Sequence, residues 1–195
     1  SWNVYDKMVE RKSINISFKN NHKLTGIMLG LLILKSLYFF LPAYFANMAP
    51  VLLRWIPILN KPIWERKLGK NKTWRGLVLA VLVGGGVFLI QKYAYQQDFT
   101  SLALIDYNSF TILLGFLLGG GAIFGDLVES YFKRKREIPS GESWLLWDQL
   151  DFVLGGLLFS LFIDVPPAEV VLITIVISPM LHFIFNYFDS NIRIF

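Results

Sequence analysis

No cysteine occurs among the 195 residues, and histidine stands only at His22 and His182. Disulfides and thiolate metal sites are thereby excluded, and a histidine-built metal site is disfavoured. Any metal would have to be held by oxygen, which suits magnesium, calcium or manganese. Charge is scarce too: 17% of the residues are charged, against about 25% in ordinary soluble domains. Apolar residues make up 54% and aromatics 16%, which places the chain among integral membrane proteins. Its formal net charge of +5 then reads as orientation toward an anionic leaflet, with no nucleic-acid partner implied.

Residues 1–23 lack the basic-then-apolar layout and small-residue cleavage site of a secretory signal. Trp2, Tyr5, Met8 and Val9 recur at helical spacing, which fits a short interfacial helix or, equally, a tail. Residues 24–195 read as a single transmembrane domain.

Five apolar runs predict an all-α integral membrane protein of about five transmembrane helices. The first begins near Leu24 and continues past Phe40, where Pro42 and Pro50 are expected to kink or break it and free carbonyls near Asn47. The second spans Gly76 to about Tyr95, the third starts near Ser109, the fourth near Trp144, and the fifth runs from Ala168 to about Phe188. Glycine runs at Gly84 to Gly86, Gly119 to Gly121 and Gly155-Gly156 permit close helix approach. The connection at 54–75 carries seven basic residues against the single acid Glu65, and Lys133 to Arg136 form a second basic block. The connection from Gln96 to Asn108 has Asp98 and Asp106 and no basic residue. Two basic cytoplasmic loops follow, with the amino terminus outside, although Lys7, Arg11, Lys12, Lys19 and Lys23 oppose that orientation.

The stretch Gly125 to Phe152, GDLVESYFKRKREIPSGESWLLWDQLDF, carries the chemistry. On helices, Asp126, Glu129, Ser130 and Lys133 share one face, and Asp148 and Asp151 share another. The flanking apolar runs reach the roughly 20 residues of a membrane span only if these acids are included. Intramembrane carboxylates mark a functional site. In GKNKTWRG, Lys70, Lys72, Thr73 and Arg75 precede a helix start, so cations, hydroxyl and helix amino terminus could converge on phosphate. A topology-setting positive loop explains the same charges, and the glycine spacing is not that of a Walker loop. Asn47 fits an interhelical hydrogen bond or a ligand contact.

Acids that hold a metal beside cations suit phosphoryl or nucleotidyl transfer, and a site at the bilayer boundary suggests one soluble nucleotide and one lipid-borne acceptor. A multispanning anion or lipid transporter would be expected to show an internal repeat. A non-catalytic lipid-binding protein would leave the two acid pairs unexplained.

The order PAYFANMAP, GKNKTWRG, GDLVES, KRKR, Pro139, Gly141 and DQLDF, across residues 41–156, resembles the CDP-archaeol synthase family, the archaeal-type relative of phosphatidate cytidylyltransferase. The resemblance implies transfer of cytidylate from CTP to a lipid phosphate, giving a CDP-lipid and pyrophosphate, at a cytoplasm-facing site of a cell-membrane protein. The cofactor implied is magnesium, with manganese as a substitute and an additional monovalent cation left open. Asp126, Asp148 and Asp151 match the family acids that handle metal and nucleotide. Ser130, Lys133 and Arg134 match its serine and basic pair, with Lys133 and Arg134 catalytic. Lys72, Thr73 and Arg75 match its KTxRG element, and Asn47 and Pro50 its AN..P element. Arg136-Glu137, Pro-Ser-Gly and Gln149 depart from the bacterial cytidylyltransferase signature, which leaves the acceptor's tails, ether isoprenoid or ester acyl, undetermined; oligomeric state is likewise unread.

Overall fold

The structure, a computed structural model, describes residues 21–140, 142, 144 and 147–192. The amphipathic segment expected at Trp2 to Val9 lies outside the described residues. The chain forms helices α1 (Asn21–Leu52), α2 (Glu65–Leu68), α3 (Trp74–Gln96), α4 (Leu113–Lys135), α5 (Trp147–Ser160) and α6 (Ala168–Ile192). Among the described residues there is no strand, only an isolated antiparallel bridge between Pro62 and Thr73.

The five longer helices fall where five spans are expected. Three of them, Leu24–Leu52 of α1, α3 and α4, are long and apolar enough to cross a membrane. The described part of helix α5 has 14 residues, about 21 Å at 1.5 Å per residue, against the roughly 30 Å of a hydrocarbon core.

Helix α1 is continuous for 32 residues with Pro42 and Pro50 inside it, so of the kink or break expected at these prolines no break occurs. The physical reason is visible at Pro42. Proline lacks the N–H that would reach the carbonyl four residues back, which is Tyr38, and buried Gln91 of α3 donates its side-chain amide to that carbonyl instead. The freed acceptor is satisfied from a neighbouring helix, so the helix persists. Gln91→Leu should therefore lower stability by about 1–3 kcal/mol through an orphaned carbonyl, seen as a lower unfolding midpoint in detergent with turnover little changed.

Helix α4 is central, packed by α1, α3 and α5. Without a hydrophobic force between helices in lipid, close backbone packing must supply the association. At the α4–α5 crossing a Cβ built on Gly121 would lie 2.3 Å from the Gly155 carbonyl oxygen, and one on Gly155 would lie 2.1 Å from that of Gly121. Only glycine permits this approach. Helix α6 is tied to α1 by a hydrogen bond of 2.5 Å between the Tyr44 and Ser178 hydroxyls.

The two ends of the bundle differ. At one end the connection 97–112 folds inward, burying Leu104, Ile105, Tyr107 and Phe110. The Tyr107 ring packs against Tyr38, Phe88 and Tyr95, and burial pushes its phenol well above the ordinary tyrosine range. At the other end lie both basic connections, joined through side chains of α4.

Candidate functional site

The α4–α5 crossing continues toward the basic end, where a Cβ on Gly125 would sit 1.9 Å from the Asp151 carbonyl oxygen. Contact between the backbones brings acids of two helices to one place. One carboxylate oxygen each from Asp126, Glu129 and Asp151 lie within 4.8 Å of one another. Ligand oxygens about 2.1 Å from an octahedral magnesium stand about 3.0 Å apart when adjacent and about 4.2 Å apart when opposite, so the trio would draw together by up to about 1.8 Å to hold such an ion from one side, a shift that carboxylate side-chain torsions can supply. Protein ligands from one side leave coordination positions for water and phosphate oxygen, the usual magnesium arrangement.

Two lysines partly neutralise the cluster. Lys72 Nζ lies 2.6 Å from both carboxylate oxygens of Asp126. Its backbone is fixed by a hydrogen bond from Ile63 N–H to the Lys72 carbonyl, 2.8 Å, and by the preceding turn, where Gly69 takes φ +88° beside Ser140. Lys133 Nζ stands 3.0 Å from Glu129 Oε1 and 2.7 Å from Asp148 Oδ1, and donates to the Glu142 carbonyl at 2.9 Å. These acceptors match the three protons of its ammonium. Asp148 in turn accepts from the Trp144 N–H at 2.9 Å through Oδ2. Asp151 forms no ion pair among the described residues; its carboxylate accepts only from the adjacent Phe152 N–H.

The residues expected from sequence thus sort into groups. Asp126 and Asp151 meet, with Glu129 as their third member, while Asp148 turns to Lys133 and the start of α5. Asp126, Ser130, Lys133, Arg134, Asp148 and Asp151 line one polar cavity of about 290 Å³, together with Lys72. Buried Arg134 Nε has no hydrogen-bond partner there. Asn47, Thr73 and Arg75 lie instead on an adjoining cavity of about 520 Å³. Asn71, Lys72 and Asp126 form the shared wall. Thr73 also caps α3, its hydroxyl accepting from Gly76 N–H at 3.2 Å. The Arg75 guanidinium donates to the carbonyls of Arg54 and Ile56 at 2.7 and 2.8 Å, so this motif builds the local fold as well as the cavity wall. Gly141 lies outside the described residues.

Glu129 is the member that spacing placed on the right face without assigning it a ligand role; its signal was the i, i+3 relation to Asp126. Asn71 and Ser140 also line the polar cavity, and no feature of the sequence marked them.

A third cavity, an apolar cleft of about 400 Å³ between α4 and α5, is lined by side chains that include Val128, Phe132, Trp147 and Leu158. Glu129 and Asp151 line both this cleft and the polar cavity.

Comparison with known proteins identifies the family to which this fold belongs. Residues 28–194 match the family model described as CarS-like, CDP-archaeol synthase. The CDP-archaeol synthase of Thermococcus onnurineus is 37% identical over 160 residues, covering 80% of this chain and 91% of that protein. That of Methanococcus maripaludis is 35% identical over 165 residues, covering 80% and 90%. A solved structure of an intramembrane enzyme for archaeal membrane lipids biosynthesis superposes with a TM-score of 0.63 at 26% identity, covering 80% of this chain and 94% of that one. The chain therefore belongs to the CDP-archaeol synthase family of membrane-embedded cytidylyltransferases.

Proposed function

We propose that this protein transfers cytidylate from CTP to a lipid phosphate of archaeol type, releasing pyrophosphate and leaving a CDP-lipid in the membrane. The observation that carries the reading is the double position of Glu129 and Asp151, which border a charged cavity on one side and an apolar cleft on the other. A water-soluble triphosphate and a lipid-borne phosphate would meet at those carboxylates.

Asp126, Glu129 and Asp151 are the residues to hold magnesium, which when bound neutralises charge on phosphate oxygens and orients them. Lys72 and Arg134 on the cavity wall offset the triphosphate charge that the acids would otherwise repel. Lys133, fixed by Asp148, keeps Glu129 oriented toward the cluster. The acceptor's phosphate, with a second pKa near about 6, is already ionised at neutral pH, so no side chain need remove a proton. An acceptor oxygen bonds to the α phosphorus as the bond to the bridging oxygen of the β phosphate breaks, and the electron pair leaves with pyrophosphate. The chain contributes position and charge. The cleft takes the lipid's hydrocarbon, and the basic end faces the cytoplasm by the charge bias of its connections.

The test is pyrophosphate release by the purified protein in detergent. Release is expected only with CTP, magnesium and a lipid phosphate together, and faster with an ether-linked isoprenoid acceptor than with phosphatidate. Absence of release with both acceptors would overturn the proposal, and equal rates would overturn the acceptor preference.

A further inference from the structure

The connection between α1 and α3, residues 53–73, turns its apolar side chains outward. Trp55 is 74% exposed, Ile58 58%, and Leu59 and Trp64 53% each. The connection 97–112 buries Leu104, Ile105, Tyr107 and Phe110, and the connection 161–167 exposes Phe162 and Val165 but carries no cation, so what is particular to this lobe is outward apolar display combined with basic charge. The display is also held in place. Leu59 has φ +50°, an uncommon conformation for a bulky residue that persists only when its surroundings enforce it. Arg75 is the enforcing residue: its N–H donates to the Leu59 carbonyl at 2.9 Å, and its guanidinium holds the carbonyls of Arg54 and Ile56. Around this tip stand the exposed cations Arg54, Lys61, Arg66, Lys67 and Lys70, with Glu65 the one acid. Lys67 Nζ lies 4.0 Å from the centre of the Trp64 ring. The lobe joins helix ends whose Leu52 and Trp74 are likewise exposed.

From this juxtaposition of a pinned apolar tip and a ring of cations, we infer that the lobe docks into the anionic leaflet around the protein. Trp55, Ile58, Leu59 and Trp64 enter the boundary between headgroups and acyl chains, and the cations bind anionic headgroups. A neutral surface would satisfy the apolar tip alone; the charge surplus selects an anionic one. The lobe's inner side delivers Lys72 to Asp126, so leaflet docking fixes one wall of the site. This inference goes beyond the proposed reaction, and its test needs no turnover.

Because the chain has no cysteine, a single Ile58→Cys variant accepts one nitroxide label without interference. In vesicles containing about one third anionic lipid, the label should be open to oxygen and shielded from a water-soluble nickel relaxant, and it should be less shielded in neutral vesicles. Adding Arg66→Glu and Lys67→Glu should lower the docked-to-undocked ratio more than about tenfold, each cation near an anionic leaflet contributing about a factor of five. A Thr100→Cys label at the opposite end should not respond to lipid charge. A label at position 58 as open to nickel as the one at position 100 would overturn the inference. So would equal shielding in neutral and anionic vesicles, the result expected if the tip covers a protein surface or rests on apolar contact alone.

Discussion

Replacing Asp151 by Asn is expected to lower turnover by about two to three orders of magnitude and to weaken divalent-cation binding in parallel. Asn preserves shape and leaves the contact to the Phe152 N–H available, so the change isolates the charge. Asp151 is the member of the trio without an ion pair among the described residues, whereas Asp126 already shares its charge with Lys72 and Glu129 with Lys133. Its carboxylate is thus the one with no side-chain cation to give up when a metal binds. The metal-free protein should become no less stable, since burial beside Asp126 already disfavours a charged carboxylate at this position. Asp148→Asn supplies the contrast. It removes one of three acceptors around Lys133 and should reduce turnover while leaving manganese affinity, measured by electron paramagnetic resonance without substrate, nearly unchanged. Manganese bound as tightly by the Asp151 variant as by the parent would remove this residue from the metal set.

The different fates of Asp148 and Asp151 show how far the sequence could be read. Their i, i+3 spacing put both on one helical face, and acids of α4 lie opposite that face across the crossing. Which of the two reaches α4 depends on where α5 begins. Asp148 accepts from the Trp144 N–H and takes Lys133, while Asp151, about one turn deeper, sits where Gly125 lets the backbones touch. A helix start is the least legible boundary in a run such as SWLLWDQ, which has apolar residues on every side. The KTWRG stretch posed another difficulty, because a hydroxyl and a guanidinium that could hold phosphate can equally cap a helix and bind carbonyls. Thr73 and Arg75 do the latter. At Pro42 local propensity favoured a break, and a long-range donor, Gln91, overrode it. The apolar runs, by contrast, were read from composition over many residues, which is why the helices fall close to their expected places.

Gly125→Ala should abolish most of the activity although it adds a single methyl group and removes no charged side chain. The new Cβ would lie 1.9 Å from the Asp151 carbonyl oxygen and 2.6 Å from its carbon, and both are backbone atoms that cannot rotate aside. The helices must separate, and overpacking of this kind costs about 1–3 kcal/mol. The larger effect is geometric. The crossing holds Asp126 and Glu129 of one helix against Asp151 of the other, and metal ligands tolerate displacement of only a few tenths of an ångström. Manganese affinity should therefore fall about as far in Gly125→Ala as in Asp151→Asn, with helicity by circular dichroism preserved. Gly86→Ala is the control, because a Cβ there meets nothing within 4 Å; it should leave metal binding and turnover intact. If Gly125→Ala bound manganese and turned over like the parent, the close crossing would not be what assembles the carboxylates, and the site would have to tolerate a looser pair of helices than the backbone contact implies.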